Sequence, residues 1–422
     1  MSWLEPVPFA EAPFEIIDGD RGKNYPKQDE FHGAGHCLFL SATNVTKSGF
    51  DFSTCQFIDE KKDAALNKGK LQREDIVLTT RGTIGNAAYF NDAVAFDHLR
   101  INSGMVILRC DRNKLLPAFL YHFLRSPSFY SQVNGLRSGV AQPQLPIRDM
   151  RQIKLPLPPL PVQQRIAGIL SAYDELIENN QRRIRILEDM ARSLYREWFV
   201  HFRYPGHESV PFVDSPLGQV PQGWEVMSAS DCIAINPRVA VPRDGEKPFV
   251  PMGCLSNDSM LISDIESRSG NSGAKFQNGD TLFARITPCL ENGKTGFVQF
   301  LPDSQDVAFG STEFIVLRSR TLTPEFVYCL SRSDEFRNAA IKSMSGATGR
   351  QRVREECFGA YRIAQPPREL LDHFSEIVAP SFRLIYRLQY QIENLRRTRD
   401  LLLPRLLSGQ IVLSMNIEKE LR

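Results

Sequence analysis

The chain has no C-x-x-C pair. Its eight cysteines stand apart at 37, 55, 110, 232, 254, 289, 329 and 357, a scatter that supports neither a zinc ribbon nor a disulfide framework. Reduced thiols in a cytosol are the expectation. No stretch of 18 apolar residues occurs, so no helical membrane span is expected. Met1-Ser2-Trp3-Leu4-Glu5-Pro6 lacks the basic segment and apolar run of a secretory signal, and a cytoplasmic location follows as the expectation. An excess of charge of one sign is missing too. With 51 Lys+Arg against 49 Asp+Glu the net charge is +2, so a nucleic-acid partner has to be drawn by local basic patches.

Catalytic apparatus is also scarce. Gly293-Lys294-Thr295 resembles the end of a phosphate loop, but position 288 is Pro where G-x-x-x-x-G-K-[ST] requires Gly. Gly33-Ala34-Gly35 lacks the third glycine and following helix of a dinucleotide fingerprint. The seven histidines form no H-E-x-x-H or ligand-like cluster, which argues against a metal site. Neither [ND]-P-P-[YF] nor G-x-S-x-G occurs. A chain of 422 residues without such motifs is expected to recognise rather than to catalyse.

What is present is a repeat. Asp75-Ile76-Val77-Leu78-Thr79-Thr80-Arg81 returns as Asp280-Thr281-Leu282-Phe283-Ala284-Arg285, one residue shorter. Leu116-Pro117-Ala118-Phe119-Leu120-Tyr121 answers Thr323-Pro324-Glu325-Phe326-Val327-Tyr328, and Ser126-Pro127-Ser128-Phe129 answers Ser333-Asp334-Glu335-Phe336. Ser138-Gly139 matches Ser345-Gly346, Gln144 matches Gln351, and Pro158-Pro159 matches Pro366-Pro367. Two similar units suit the reading of two separated half-sites on a partner with two-fold character. Hydrophobic content of 42% with 24% charged residues is enough for a core in each.

Residues 1 to 157 read as mixed and largely β: Ile76-Val77-Leu78 and Met105-Val106-Ile107-Leu108 are bounded by Gly, Asn and Asp. A helix is predicted near Pro117–Tyr130. The Pro-rich segment 155–161 ends this part as an extended joint. Beyond it Ile166, Ile169, Tyr173, Leu176, Asn180, Ile184, Leu187, Ala191, Leu194 and Trp198 recur at 3- and 4-residue intervals. This is the seam of a helix of about 40 residues, with Asn180 as a register-fixing polar position. The second seam is Phe374, Ile377, Ser381, Leu384, Leu388, Ile392, Leu395, Arg399, Leu402 and Leu406. Pro380 is expected to kink that helix or mark its start, and Pro404 to act likewise near its end. The fold expected is α+β: two similar mixed α/β units separated by a pair of long antiparallel coiled-coil helices, as a pseudo-two-fold internal repeat. The boundaries expected are 1–157, a helix 158–206, 207–365, a helix 366–410 and a tail 411–422.

Candidate recognition residues fall in matching places. Arg81 and Arg285 each end a strand-like run and enter a Gly/Thr-rich loop, with Thr83 and Asn86 in the first and Asn292 and Lys294 in the second. A second loop pair holds Arg137, Gln142 and Gln144 against Arg350, Gln351 and Arg352. Arg, Lys, Asn and Gln offer donors to phosphates and base edges; the same loops also read as solvated turns.

These residues carry a resemblance. The opening Asp18-Gly19-Asp20-Arg21-Gly22-Lys23-Asn24-Tyr25-Pro26, Thr80-Arg81-Gly82-Thr83-Ile84-Gly85, Ile286-Thr287-Pro288 through Gly293-Lys294-Thr295, Arg196-Glu197-Trp198-Phe199-Val200-His201-Phe202 and the ending Leu403-Pro404-Arg405-Leu406-Leu407-Ser408-Gly409 together resemble the specificity subunit of type I restriction–modification enzymes. The resemblance implies two target recognition domains, each reading half of a bipartite site in double-stranded DNA. It implies helices that set the spacer and dock two modification subunits, with restriction subunits joining them. S-adenosylmethionine, ATP and Mg are then expected on those partners and none on this chain. A duplicated-domain scaffold without a nucleic-acid role is the other reading, and salt-dependent binding to duplex DNA separates the two.

Overall fold

The computed structural model describes residues 5–137, 143–347 and 349–411. The chain divides into two compact units, Met1–Ile177 with Asn394–Arg422, and Glu178–Glu393.

In the first unit the strands Phe14–Asp18, Met105–Cys110, Ile76–Thr79 and Ala87–Tyr89 form an antiparallel sheet in that order. Its apolar runs are continuous because both faces are covered. Ile76, Leu78, Val106 and Leu108 face a core shared with the helices, while Val77, Met105 and Ile107 face a second core. That second core is closed by a three-stranded sheet in which Cys37–Leu40 runs parallel to Leu99–Ile101. The helix predicted near Pro117–Tyr130 is two helices, Pro117–Leu124 and Pro127–Leu136. Ser126 caps the second by accepting from Phe129 N at 3.2 Å, and Pro127 suits its first turn.

The second unit repeats this strand order. Ile233–Ile235, Phe314–Ser319, Thr281–Ala284 and Thr295–Phe297 form one antiparallel sheet. Beside it Lys247–Val250 runs parallel to Ala308–Gly310. Helices Pro324–Ser331 and Asp334–Lys342 follow, capped by Thr323 and Ser333. The same bidentate ion pair recurs in both units. Asp75 accepts from Arg109 at 2.9 and 2.7 Å, and Asp280 from Arg318 at 2.7 and 2.6 Å. Both carboxylates are buried and also accept a backbone N–H, from Gln72 and Gln277. A buried charge so fully bonded resists removal of its partner.

The long helices are Leu160–Tyr195, continued by a π-helical turn Arg196–Val200, and Arg368–Leu407. The second helix starts twelve residues before Pro380 and runs through both Pro380 and Pro404. Both prolines are exposed, so each ring faces solvent and the main cost is one missing backbone donor. Within the second unit Asn180 Nδ2 meets Gln391 Oε1 at 3.5 Å, and the Trp198 ring lies 5.3 Å from His373. Within the first, Arg399 pairs with Asp174, and Ile166, Ala167 and Leu170 share a core with Leu403 and Leu406. In each unit the helices therefore run antiparallel.

Of the seam residues, Ile166, Asn180, Ile184, Phe374, Leu388 and Ile392 are buried, and Ile169, Tyr173, Leu187, Leu194, Leu384, Leu395 and Leu402 are half-buried. Two positions need correction. Leu176 and Ile377 are 51% and 45% exposed, and Ile177 and Val378 take the buried places. A straight helix turns every 3.6 residues, so it drifts off a strict 3.5-residue seam. Glu188 and Tyr195 are likewise more buried than Leu187 and Leu194.

Candidate functional site

In the first unit, strand Ile76–Thr79 leads into loop 80–86, which turns back into strand Ala87–Tyr89. Leu145 N donates to Thr80 O at 2.9 Å, and Arg81 bridges Gln144. In the second unit, strand Thr281–Ala284 leads into loop 285–294. Val353 N donates to Arg285 O at 2.8 Å, Thr287 N to Gln351 O at 3.1 Å, and Ile286 bridges Arg352. Each unit thus lays its two candidate loops side by side at the same end of its central sheet.

The ladders correct the residue matching by one. Met105 pairs with Thr79, and the equivalent Phe314 pairs with Ala284. Thr80 N donates to Gly104 O at 2.8 Å, as Arg285 N does to Glu313 O at 3.0 Å. The structural partner of Arg285 is therefore Thr80, and that of Arg81 is Ile286. Gln144 corresponds in turn to Arg352, not to Gln351. A one-residue shift reverses the side on which an extended side chain emerges, so Arg81 and Arg285 occupy different settings. Arg81 is exposed, with no side-chain bond or ion pair to a described residue. Arg285 donates to Val353 O at 3.2 Å and to Glu355 at 3.1 Å, and its buried Nε has no partner among the described residues.

The remaining candidates divide similarly. Thr83, Arg137, Gln144, Asn292, Arg350 and Arg352 are exposed. Arg352 is held by a bidentate bond to Glu313, at 2.8 and 2.6 Å, and that bond lowers the Glu313 carboxyl below its usual range. Gln351 is half-buried, and its N–H donates to Thr287 Oγ1 at 3.1 Å. Two candidates face inward. Asn86 is 8% exposed and its amide donates to Val45 O at 3.0 Å, which removes it from the accessible set. Lys294 is half-buried, with Nζ donating to Met252 O at 3.1 Å; a strand, Thr295–Phe297, follows it. Gln142 lies outside the described residues.

A cavity of ≈ 240 Å³ in the first unit is lined by His122, Arg125 and Arg399, among others. Asp174 bonds both arginines there. Burial lowers the His122 ring to about 4, so it is neutral near pH 7 and pairs with Ser171 Oγ at 3.1 Å. This cluster ties the helix Pro117–Leu124 to both long helices within the unit. In the second unit the buried Glu188 accepts from Ser259 Oγ and Met260 N, both at 2.7 Å. The aromatic run Trp198-Phe199 also packs there, with Phe199 4.7 Å from Phe326 and 5.0 Å from Phe374. Sequence reasoning passed over these polar anchors, because nothing in a single sequence pairs Asp174 with Arg399. No group of metal-ligating residues is present among the described residues.

The exposed ends of both units thus present Arg, Gln and Asn donors on hydrogen-bonded loops, as nucleic-acid recognition requires. Residues 14–189 match the family described as the type I restriction modification DNA specificity domain. The chain thus carries this DNA specificity domain and is similar along most of its length to type I restriction specificity subunits. It is 25% identical to the MjaIX specificity subunit of Methanocaldococcus jannaschii, across 80% of this chain and 77% of that one. It is 21% identical to the HindI specificity subunit of Haemophilus influenzae, across 93% and 98%. The crystal structure of a type I specificity subunit from M. genitalium shares the fold, with a TM-score of 0.56 at 14% identity over 94% of each chain. Specificity subunits recognise DNA sequence as the non-catalytic component of a restriction–modification complex. The scaffold reading is not favoured by these relatives. No helix among the described residues is long and apolar enough to cross a membrane.

Proposed function

We propose that this subunit reads a bipartite DNA site, one half through each unit. One observation carries the reading. In both units, at the same place in the same strand order, two donor-bearing loops are joined by backbone hydrogen bonds: 80–86 with 143–145, and 285–294 with 345–353. Such paired loops present donors to base edges and phosphates from a rigid sheet end. The recognition domains of this reading are 1–157 and 207–365, arranged as a pseudo-two-fold repeat. The segments 158–206 and 366–410 hold the helices Leu160–Tyr195, with its continuation Arg196–Val200, and Arg368–Leu407. They act as an antiparallel coiled-coil spacer that sets the separation of the half-sites and docks two modification subunits. Those partners bind S-adenosylmethionine and methylate adenine, and restriction subunits add ATP- and Mg-dependent cleavage. The test maps methylated adenines across the genome in cells with and without this gene. The expected result is an interrupted two-part motif methylated only when the gene is present. A continuous motif, or methylation indifferent to the gene, refutes the reading.

A further inference from the structure

The second unit holds a groove that none of the candidate recognition loops fills. Its volume is ≈ 600 Å³, and its lining includes Asn236, Arg238, Lys275, Arg285, Thr312 and Phe314. Three lining residues are cations and none is a carboxylate. Of the three, Arg285 pairs with Glu355 outside the lining, whereas Arg238 and Lys275 form no ion pair with a described residue. Arg238 is exposed and has no side-chain bond or ion pair with a described residue. Lys275 uses one donor on Gly273 O, at 3.1 Å. One wall carries no side chain. Gly273 has a φ of +108°, and a Cβ there would lie 1.8 Å from Gly310 O, so only glycine is accommodated.

We propose that this groove seats the sugar–phosphate backbone of DNA, with Arg238 and Lys275 each neutralising a phosphate. The groove is too large for one small anion alone, and two cations without an acidic partner among the described residues, Arg238 and Lys275, favour a polyanion. It is also continuous with the candidate interface. Arg285 opens loop 285–294, and Thr312 precedes the Glu313 that holds Arg352. Contacts of this kind position the duplex and carry no sequence information, unlike those of the loops. The assignment rests on the reading of the second unit as a DNA reader.

The test uses the full chain assembled with its modification subunits, and compares the parent with Arg238→Gln, Lys275→Gln and the double variant. Affinity for duplex DNA of arbitrary sequence is measured against salt concentration. Each substitution should reduce the slope of log affinity against log salt by about 0.9, and the double by about 1.8. Between 50 and 200 mM salt this is a factor of about 3.5 in relative affinity for each phosphate no longer neutralised. The weakening should be equal for all DNA sequences, with unchanged thermal midpoints, because Arg238 is exposed and Lys275 partly so. An unchanged slope in the double variant overturns the groove assignment. Loss of binding to free AMP with the DNA slope intact also overturns it, in favour of a nucleotide site. If the parent complex itself shows no salt-dependent duplex binding, the recognition reading has failed instead.

Discussion

Replacing Arg81 and Arg285 in turn should separate recognition from structure. Arg285 donates to the Val353 carbonyl and pairs with Glu355, and both bonds hold the second loop against the first. Truncation to Ala strands the Val353 acceptor and frees the loop, at a cost of about 1–3 kcal/mol in folding stability. Arg81 makes no such bond to a described residue, so Arg81→Ala should change stability by no more than about 0.5 kcal/mol. In DNA affinity the order reverses. If Arg81 bonds a base edge, truncating it costs about 1–3 kcal/mol, or roughly 5- to 150-fold, and relaxes preference at one position. If it neutralises a phosphate, truncation weakens all sequences equally and lowers the salt slope by about 0.9. The assay combines urea unfolding of each full-length variant with DNA affinity of its assembled complex, corrected for the folded fraction. If Arg81→Ala loses stability while its folded fraction binds DNA normally, Arg81 is structural. If Arg285→Ala unfolds at the parent's denaturant midpoint, the bracing role assigned to it is wrong.

Asp63 is buried against Arg100 and Lys70; burial alone would raise its carboxyl, but hydrogen bonds from Lys70 and Arg100 overcome this and hold it at about 2. Because the folded value lies below the ordinary 3.8, this contribution of about 2 kcal/mol is complete above that value and is lost as pH falls toward 2. Acid unfolding of Asp63→Asn should be shallower across that window, and an identical profile would discount the network. Arg100→Met leaves the Asp63 carboxylate buried with less compensation and should cost about 3–5 kcal/mol in urea unfolding. Exchanging residues 1–157 for those of a relative should alter one half of the methylated motif, read by methylation mapping; a change in both halves contradicts independent readers. Removing two heptads from the paired long helices should change the spacer or abolish methylation while any surviving half-site keeps its bases, and an unaltered spacer would limit the helices to packing.

Much of the architecture was legible from periodicity. The 3–4 spacing from Ile166 to Trp198 and from Phe374 to Leu406 marks two long helices because an apolar stripe repeats only where a helix face is buried. The apolar runs at 76–78 and 105–108 mark strands covered on both faces. The repeat also exposed the paired loops, since Asp75 and Asp280 open both copies. Asp75 and Asp280 themselves are buried anchors for Arg109 and Arg318, a role that depends on the neighbouring strand. Register was not legible. Sequence matching aligns Arg81 with Arg285, whereas cross-strand hydrogen bonding aligns Arg81 with Ile286, because an alignment gap costs nothing in a string but reverses a side chain in a strand. Direction was not legible either: Asn86 reads as a loop donor in the sequence and proves to be a buried bond to Val45. The groove of Arg238, Lys275 and Arg285 joins residues up to 47 positions apart along the chain. Local pattern determined which segments became helix or strand. Which charges met, and which were left without a partner, was decided only when the chain closed on itself, because pairing depends on distance in space and sequence records only separation along the backbone.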